Sequence, residues 1–256
     1  MNLLLLSLVL VGSMARLVAA PADNALSESE QKDGWRLLFD GKSFQGWRGY
    51  SQPGFPQRGW SIEDGCIKNA KNTGRPGSGG GDIVTKELFT DFEFRFEWKI
   101  ASGGNSGIKY FIKERTGARG TKMFAGDDGR SAVGHEYQLL DDDKHPDGLQ
   151  HGPIRQSGSL YALIAPNQAK RLRPPGEFNE GRILVRGNHV EHWLNGAKIL
   201  EYELGGLALQ EAVAKSKYAS VPGFGTKFST PLLIQDHGDE VWLRNLKIRA
   251  LPAEGR

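Results

Sequence analysis

The stretch Asp91 to Ile100, DFEFRFEWKI, sets the tightest limit on the fold. Phe92, Phe94, Phe96 and Trp98 fall on one side of a two-residue period, and Glu93, Arg95, Glu97 and Lys99 on the other. A β-strand with one buried face satisfies that alternation, whereas a helix would scatter the aromatic rings around its axis. Such a strand needs antiparallel partners and a second apolar layer to cover it. The chain supplies them. Trp35–Phe39 is an apolar run stopped by Asp40-Gly41, and Ile108–Lys113 reads as a strand returning after the turn Gly103-Gly104-Asn105-Ser106-Gly107. Residues 183–202 read as three strands joined at Gly187-Asn188 and Asn195-Gly196, the second a favoured tight-turn pair. Pro231–Gln235 and Val241–Ala250 follow, and in the latter the apolar positions change face around Arg244-Asn245, which predicts a bulge. Residues 207–217 are the one convincing helical window. This pattern predicts an all-β antiparallel sandwich of jelly-roll type with a short helical insertion.

Composition narrows the function classes. The 256 residues carry a net charge of +3, with Lys and Arg spread along the chain, which argues against a nucleic-acid stripe. A single cysteine excludes a disulfide framework and multi-cysteine zinc sites, and Cys66 reads as a buried, inert thiol. Beyond the first 20 residues no apolar run is long enough to span a membrane. Leu3 to Val11 is apolar and Val18 to Ala20 small, so residues 1–20 are expected to be a cleaved signal peptide, although no Lys or Arg precedes the run. That predicts a periplasmic or secreted protein. Residues 21–33 read as a polar linker and 34–252 as one domain.

Polar clusters interrupt this frame. In His135-Glu136-Tyr137-Gln138, Glu136 and Gln138 share a strand face, either a solvated face or a grip on sugar hydroxyls. The run Asp141-Asp142-Asp143-Lys144-His145-Pro146-Asp147-Gly148 reads as an acidic turn or a divalent-cation site, without EF-hand spacing. Gln235-Asp236-His237-Gly238-Asp239 delivers polar groups at a strand end, where His237 is either a surface turn residue or a general base. Asn105, in the glycine-rich turn, can present its amide to a ligand. Serine-hydrolase, HExxH and dinucleotide motifs are lacking.

Together, WRLLFDGKSFQGW (35–47), residues 85–111, GHEYQLLDDDKHPDG (134–148), SGSLYALIAP (157–166), residues 173–203 and IQDHGDEVWLRNLKIRAL (234–251) resemble the 3-keto-disaccharide hydrolase domain family, in the family's order and over nearly all the chain beyond residue 33. The resemblance implies a concanavalin-like jelly roll and an exported enzyme acting on sugars oxidised at carbon 3. It matches Glu136 and Gln138 to an E-x-Q strand, Gln235, Asp236 and His237 to a Q-D-H-G strand end, Asn105 and Ser106 to an N-S-G turn, Tyr161 to an L-Y pair, and His192 or Trp193 to the pair before L-N-G.

A 3-keto sugar has an acidic proton on carbon 2. Its removal gives an enolate that expels the group on carbon 1, and water then adds to the enone. That route needs a base, an oxyanion donor and an acid. His237 is expected as base, oriented by Asp236, and Glu136 as acid, or as base with the roles exchanged. Gln138, Asn105, Lys109 and Gln235 are expected to bind substrate, and Trp193 or Tyr161 to stack on a ring. No cofactor is required. A divalent cation is an alternative Lewis acid, with His237, Glu136 and Asp141 as candidate ligands. A lyase stopping at the enone and a non-catalytic carbohydrate-binding module remain the alternatives, and the oligomeric state is open.

Overall fold

Short runs of β-branched and aromatic residues, cut by turns that demand positive φ, assemble thirteen strands among the described residues. The computed structural model describes residues 22–72, 79–114, 122 and 131–252. In chain order the strands are β1 (Arg36–Leu37), β2 (Trp47–Gly49), β3 (Trp60–Glu63), β4 (Cys66–Asn69), β5 (Ile83–Thr85), β6 (Phe92–Ile100), β7 (Asn105–Tyr110), β8 (His135–Leu140), β9 (Asn179–Arg186), β10 (His189–Leu194), β11 (Ala197–Glu203), β12 (Leu233–Ile234) and β13 (Val241–Ala250). Helices α1 (Glu28–Lys32), α2 (Pro146–His151) and α3 (Leu207–Ala214) are short. One sheet runs β11-β10-β9-β6-β13-β4-β3, with β1 also on β13, and the other runs β2-β5-β12-β7-β8. The described pairings within both are antiparallel. The fold is the expected β-sandwich.

The core lies between the sheets. Phe92, Phe94, Phe96 and Trp98 are at most 2% exposed. They pack in one cluster with Ile108, Tyr110, Tyr137, Leu139 and Ile234 of the facing sheet. Inside it is a buried polar group. The Tyr110 hydroxyl lies 2.6 Å from His192 Nε2 and 2.8 Å from the Tyr202 hydroxyl, which lies 2.6 Å from His135 Nδ1. Burial pushes His135 down to about 3 and His192 to about 4, so both rings are neutral at neutral pH. His192 is thus a core residue.

Local chemistry explains agreements and differences alike. Asn195 and Gly196 have φ of 48° and 83°, as a type I′ turn requires. The β13–β6 register shifts between Arg244 and Lys247, the expected bulge. The strand after the glycine-rich turn starts at Asn105 rather than Ile108 and ends at Tyr110, because Phe111 adopts φ 50° and turns the chain out. Trp35–Phe39 and Pro231–Gln235 shrink to two-residue strands. The polar stretch expected as a linker is docked over its described part. Ser27 and Glu30 form a capping box on α1, Lys247 reaches Glu30 at 2.8 Å, and Arg244 reaches Asp23 at 2.5 Å. The signal peptide expected at residues 1–20 lies outside the described residues, as does part of the glycine-rich loop 71–82. Among the described residues no helix is long and apolar enough to cross a membrane. Cys66 is buried, and burial raises its thiol pKa, in line with an inert role.

Candidate active site

Strand register decides which polar groups meet. Between β7 and β8, Lys109 pairs with Glu136, Gly107 with Gln138, and Asn105 with Leu140. The two-residue period therefore puts Asn105, Gly107, Lys109, Glu136 and Gln138 on one face, and Ile108, Tyr110, Tyr137 and Leu139 on the core face. Gln235 extends the polar face, its N–H donating to the Gly107 carbonyl at 2.9 Å. Ser106 does not join it; its hydroxyl donates to the Gln235 carbonyl at 2.9 Å.

Lys109 and Glu136 form the centre of this floor. Lys109 Nζ lies 3.5 Å from Glu136 Oε2 and donates to the Ala132 carbonyl at 3.1 Å. Gly107 makes room for them, since a Cβ there would stand 2.2 Å from Glu136 Oε1. Gln138 Nε2 donates to Asn105 Oδ1 at 2.9 Å. Among the described residues the buried oxygens Gln138 Oε1 and Gln235 Oε1 have no hydrogen-bond partner. A buried acceptor left unpaired costs about 1–3 kcal/mol, so each of these oxygens calls for a donor, from water or from a ligand.

At one end stand two histidines. His145 caps α2, its Nδ1 accepting the Asp147 N–H at 3.1 Å, which puts the proton of a neutral ring on Nε2. Nε2 lies 3.4 Å from Asn105 Nδ2, and the ring meets that of His237 edge-on at 5.6 Å. Burial, then the neighbouring His237, lowers the His145 pKa. His237 Nδ1 lies 3.2 Å from Asp239 Oδ2. The orienting carboxylate is therefore Asp239, not the expected Asp236. Asp236 is fully buried and takes the N–H groups of Gly79, Gly80 and Gly81 on Oδ2 and of Gly238 on Oδ1, each at 2.9 Å.

The cation expectation changes likewise. Donor atoms of His145, His237 and Asp239 lie within 4.8 Å of one another. Glu136 is paired with Lys109, and Asp141 accepts the N–H groups of Gly103 at 2.7 Å and Asp143 at 3.2 Å. Neither joins His237. Two other acidic side chains of that turn are also engaged, Asp142 with Lys170 and Asp147 with Arg155.

The walls hold the two aromatic candidates. The Tyr161 hydroxyl donates to Asp147 Oδ2 at 2.7 Å, and cations lie over its ring, Lys217 at 4.5 Å and Arg155 at 5.5 Å. Trp193 lies on β10 in the other sheet, under Arg182 at 4.6 Å, its indole N–H donating to Glu191. It is not part of the floor.

The structure also adds residues. Asp82 accepts the Asp236 N–H at 2.9 Å, and burial pushes its carboxyl up to about 6 against the pull of Lys109. Asp82, Tyr161, Lys217 and Tyr218 all feel the charge of Glu136. His145 was signalled by His-Pro-Asp, a helix-start pattern. Asp82 and Lys217 carry no such local signal.

Known proteins give the same direction. The 3-keto-alpha-glucoside-1,2-lyase-like domain matches residues 34–249. A 3-keto-disaccharide hydrolase of Bacteroides thetaiotaomicron is 38% identical over 255 residues, covering 93% of this chain and 86% of that protein. A candidate glycosyl hydrolase of Parabacteroides distasonis superimposes with a TM-score of 0.75 at 33% identity, over 90% of this chain and all of that one. A second such protein from the same organism superimposes at 0.60 with 24% identity, over 85% of this chain and 99% of that one, and shares the fold. The chain belongs to the 3-keto-alpha-glucoside-1,2-lyase-like family and is a hydrolase-like, carbohydrate-active enzyme.

Proposed function

We propose that the protein cleaves the glycosidic bond of 3-keto-disaccharides or related 3-keto-glycosides, by proton abstraction at carbon 2, elimination and addition of water. The observation that carries this is the Lys109–Glu136 pair on a floor of unsatisfied amide oxygens. Glu136 is the carboxylate at the centre of that floor, so it takes the role of base in place of His237. Lys109 stands beside it as a charge for the enolate oxygen on carbon 3. Asn105, Gln138 and Gln235 offer amide donors and acceptors to hydroxyls. His237, its Nδ1 turned to Asp239, keeps its other nitrogen for the water that adds to the enone. An ordinary glycosidase would place two carboxylates across the bond. Here one carboxylate stands beside one ammonium, an arrangement fitted to an enolate.

The route needs no cofactor. Where a divalent cation takes part, His145, His237 and Asp239 would hold it. The apolar run at residues 1–20 supports export to the periplasm or beyond. The family's description favours a second reading, a lyase that releases the enone without hydrating it. The test is product analysis by mass spectrometry with a 3-keto-glucoside and its unoxidised parent. Cleavage of the oxidised substrate alone, giving 3-keto-glucose, is expected. A product lighter by one water identifies the lyase, and turnover of the parent refutes the keto requirement.

A further inference from the structure

Lys217 lies in the segment after α3, over the ring of Tyr161, whose N–H donates to the Glu136 carbonyl at 3.0 Å. Its Nζ lies 4.5 Å from the centre of the Tyr161 ring and 5.2 Å from that of Tyr218. Among the described residues no carboxylate comes within ion-pair distance of it, whereas Lys109, Lys170, Lys198, Lys227 and Lys247 each have one. Rings hold the ammonium in place without taking its protons. Tyr161 is itself anchored through its hydroxyl to Asp147.

The groups around this amine come from several elements: Glu136 of β8, Lys109 of β7, Asp147 of α2 and Arg155 of the turn after it. The residue keeps much of its surface open to solvent, while its amine lies against the two tyrosine rings. That packing leads the fall of its pKa below the usual lysine value; Lys109 and Arg155 push the same way, and Glu136 and Asp147 oppose. A lysine so placed loses a proton more readily than one in water.

We propose that Lys217 is the catalytic acid of the elimination, giving its proton to the glycosidic oxygen. The proposal rests on the 3-keto-glycoside reading above. The step balances as follows. Glu136 removes the proton on carbon 2 and the electron pair is stored as the enolate. The enolate re-forms the carbonyl on carbon 3, a double bond forms between carbons 1 and 2, and the bond from carbon 1 to oxygen breaks. The leaving oxygen keeps that electron pair and takes a proton from the Lys217 ammonium. The amine is left neutral and the Glu136 carboxyl protonated; transfer of one proton between them, direct or through water, restores both.

An acid matters only when the leaving group needs a proton. The test compares wild type, Lys217→Ala and Lys217→Arg on two oxidised substrates, a 3-keto-glucoside with a methoxy leaving group and one with a 4-nitrophenoxy leaving group, with thermal melting as a control for folding. Both variants should keep the wild-type melting temperature. On the methyl substrate kcat should fall by about 10²–10⁴-fold, the range for a lost acid. On the nitrophenyl substrate it should stay within a few fold. Arginine should not rescue the methyl substrate, since guanidinium keeps its proton. Equal loss on both substrates, rescue by arginine, or no loss on either would overturn the assignment while leaving the 3-keto reading intact. A wild-type protein inactive on both oxidised substrates would overturn that reading itself.

Discussion

Two charged surfaces of this sandwich look alike in sequence and differ in how they are finished. On the outer face of the larger sheet, Glu93 is fully buried and meets Arg95 at 2.9 Å, Arg182 at 2.7 Å and Arg249 at 2.5 Å. Trp35 lies beneath two of those guanidinium groups, at 4.4 Å from Arg95 and 5.0 Å from Arg249. Nearby, His189, Glu191 and Glu201 form a histidine–carboxylate group, but Lys198 and the Trp193 indole already occupy the two glutamates. On the floor of the smaller sheet, Glu136 has one ammonium at 3.5 Å, and two amide oxygens have none. The first surface meets its buried carboxylate with three guanidinium groups, beside a cavity of about 560 Å³ lined by Arg95, Arg182 and Trp193. The second leaves its carboxylate with one ammonium and its amide oxygens unpaired, a difference that counting charges does not reveal.

The comparison breaks most visibly at the two glutamates. Glu136→Gln should cut kcat by about 10²–10⁴-fold, as expected for a lost proton-transfer group, and lower the melting temperature as well, since it leaves the buried Lys109 ammonium without its partner. Glu93→Gln should cost about 3–5 kcal/mol in denaturant unfolding, as for one broken member of a buried ion cluster, with kcat intact. A loss of kcat on Glu93→Gln with none on Glu136→Gln would reverse the assignment of the two faces.

Next in size are effects of packing. Phe94→Ala should destabilise by about 3–5 kcal/mol, like other buried aromatics. A smaller loss should come from acid. His135 and His192 titrate near 6.5 when unfolded but only near 3 and 4 in the fold. Between pH 6.5 and about 4 the unfolded chain binds more protons, so stability should fall as pH falls. Calorimetry showing a flat melting temperature across that window would contradict neutral buried rings. The smallest effect should come from Trp193→Ala, which should leave KM for the oxidised sugar within about two-fold, because the ring lies under Arg182 on the other sheet. A large rise in KM would return Trp193 to the site.

How much of this was legible follows from what is local. The alternation of β6, the Asn195-Gly196 hairpin and the bulge near Arg244 are written in neighbouring residues, and each stands in the structure. The E-x-Q pair was legible for the same reason, since two residues apart on a strand means one face. What failed were pairings across the fold. Asp236 is the sequence neighbour of His237, yet three glycine N–H groups from residues 79–81 claim its carboxylate, and Asp239 holds the ring instead. Gly107 looked like part of a turn, and its role is to leave space for a carboxylate on the adjacent strand. Lys217 looked like the end of a helix, and it lies beyond one, against the Tyr161 ring. Tertiary proximity of this kind has no period to read.

The central claim is that Glu136 removes the proton on carbon 2 of an oxidised sugar. It is tested most directly by running the wild-type protein on a 3-keto-glucoside in deuterium oxide and locating the label at early turnover. The account predicts one deuterium on carbon 2 of the released 3-keto-glucose, and neither release nor label with Glu136→Gln. Release of unlabelled product would contradict it, because the bond would then have broken without a proton ever leaving carbon 2.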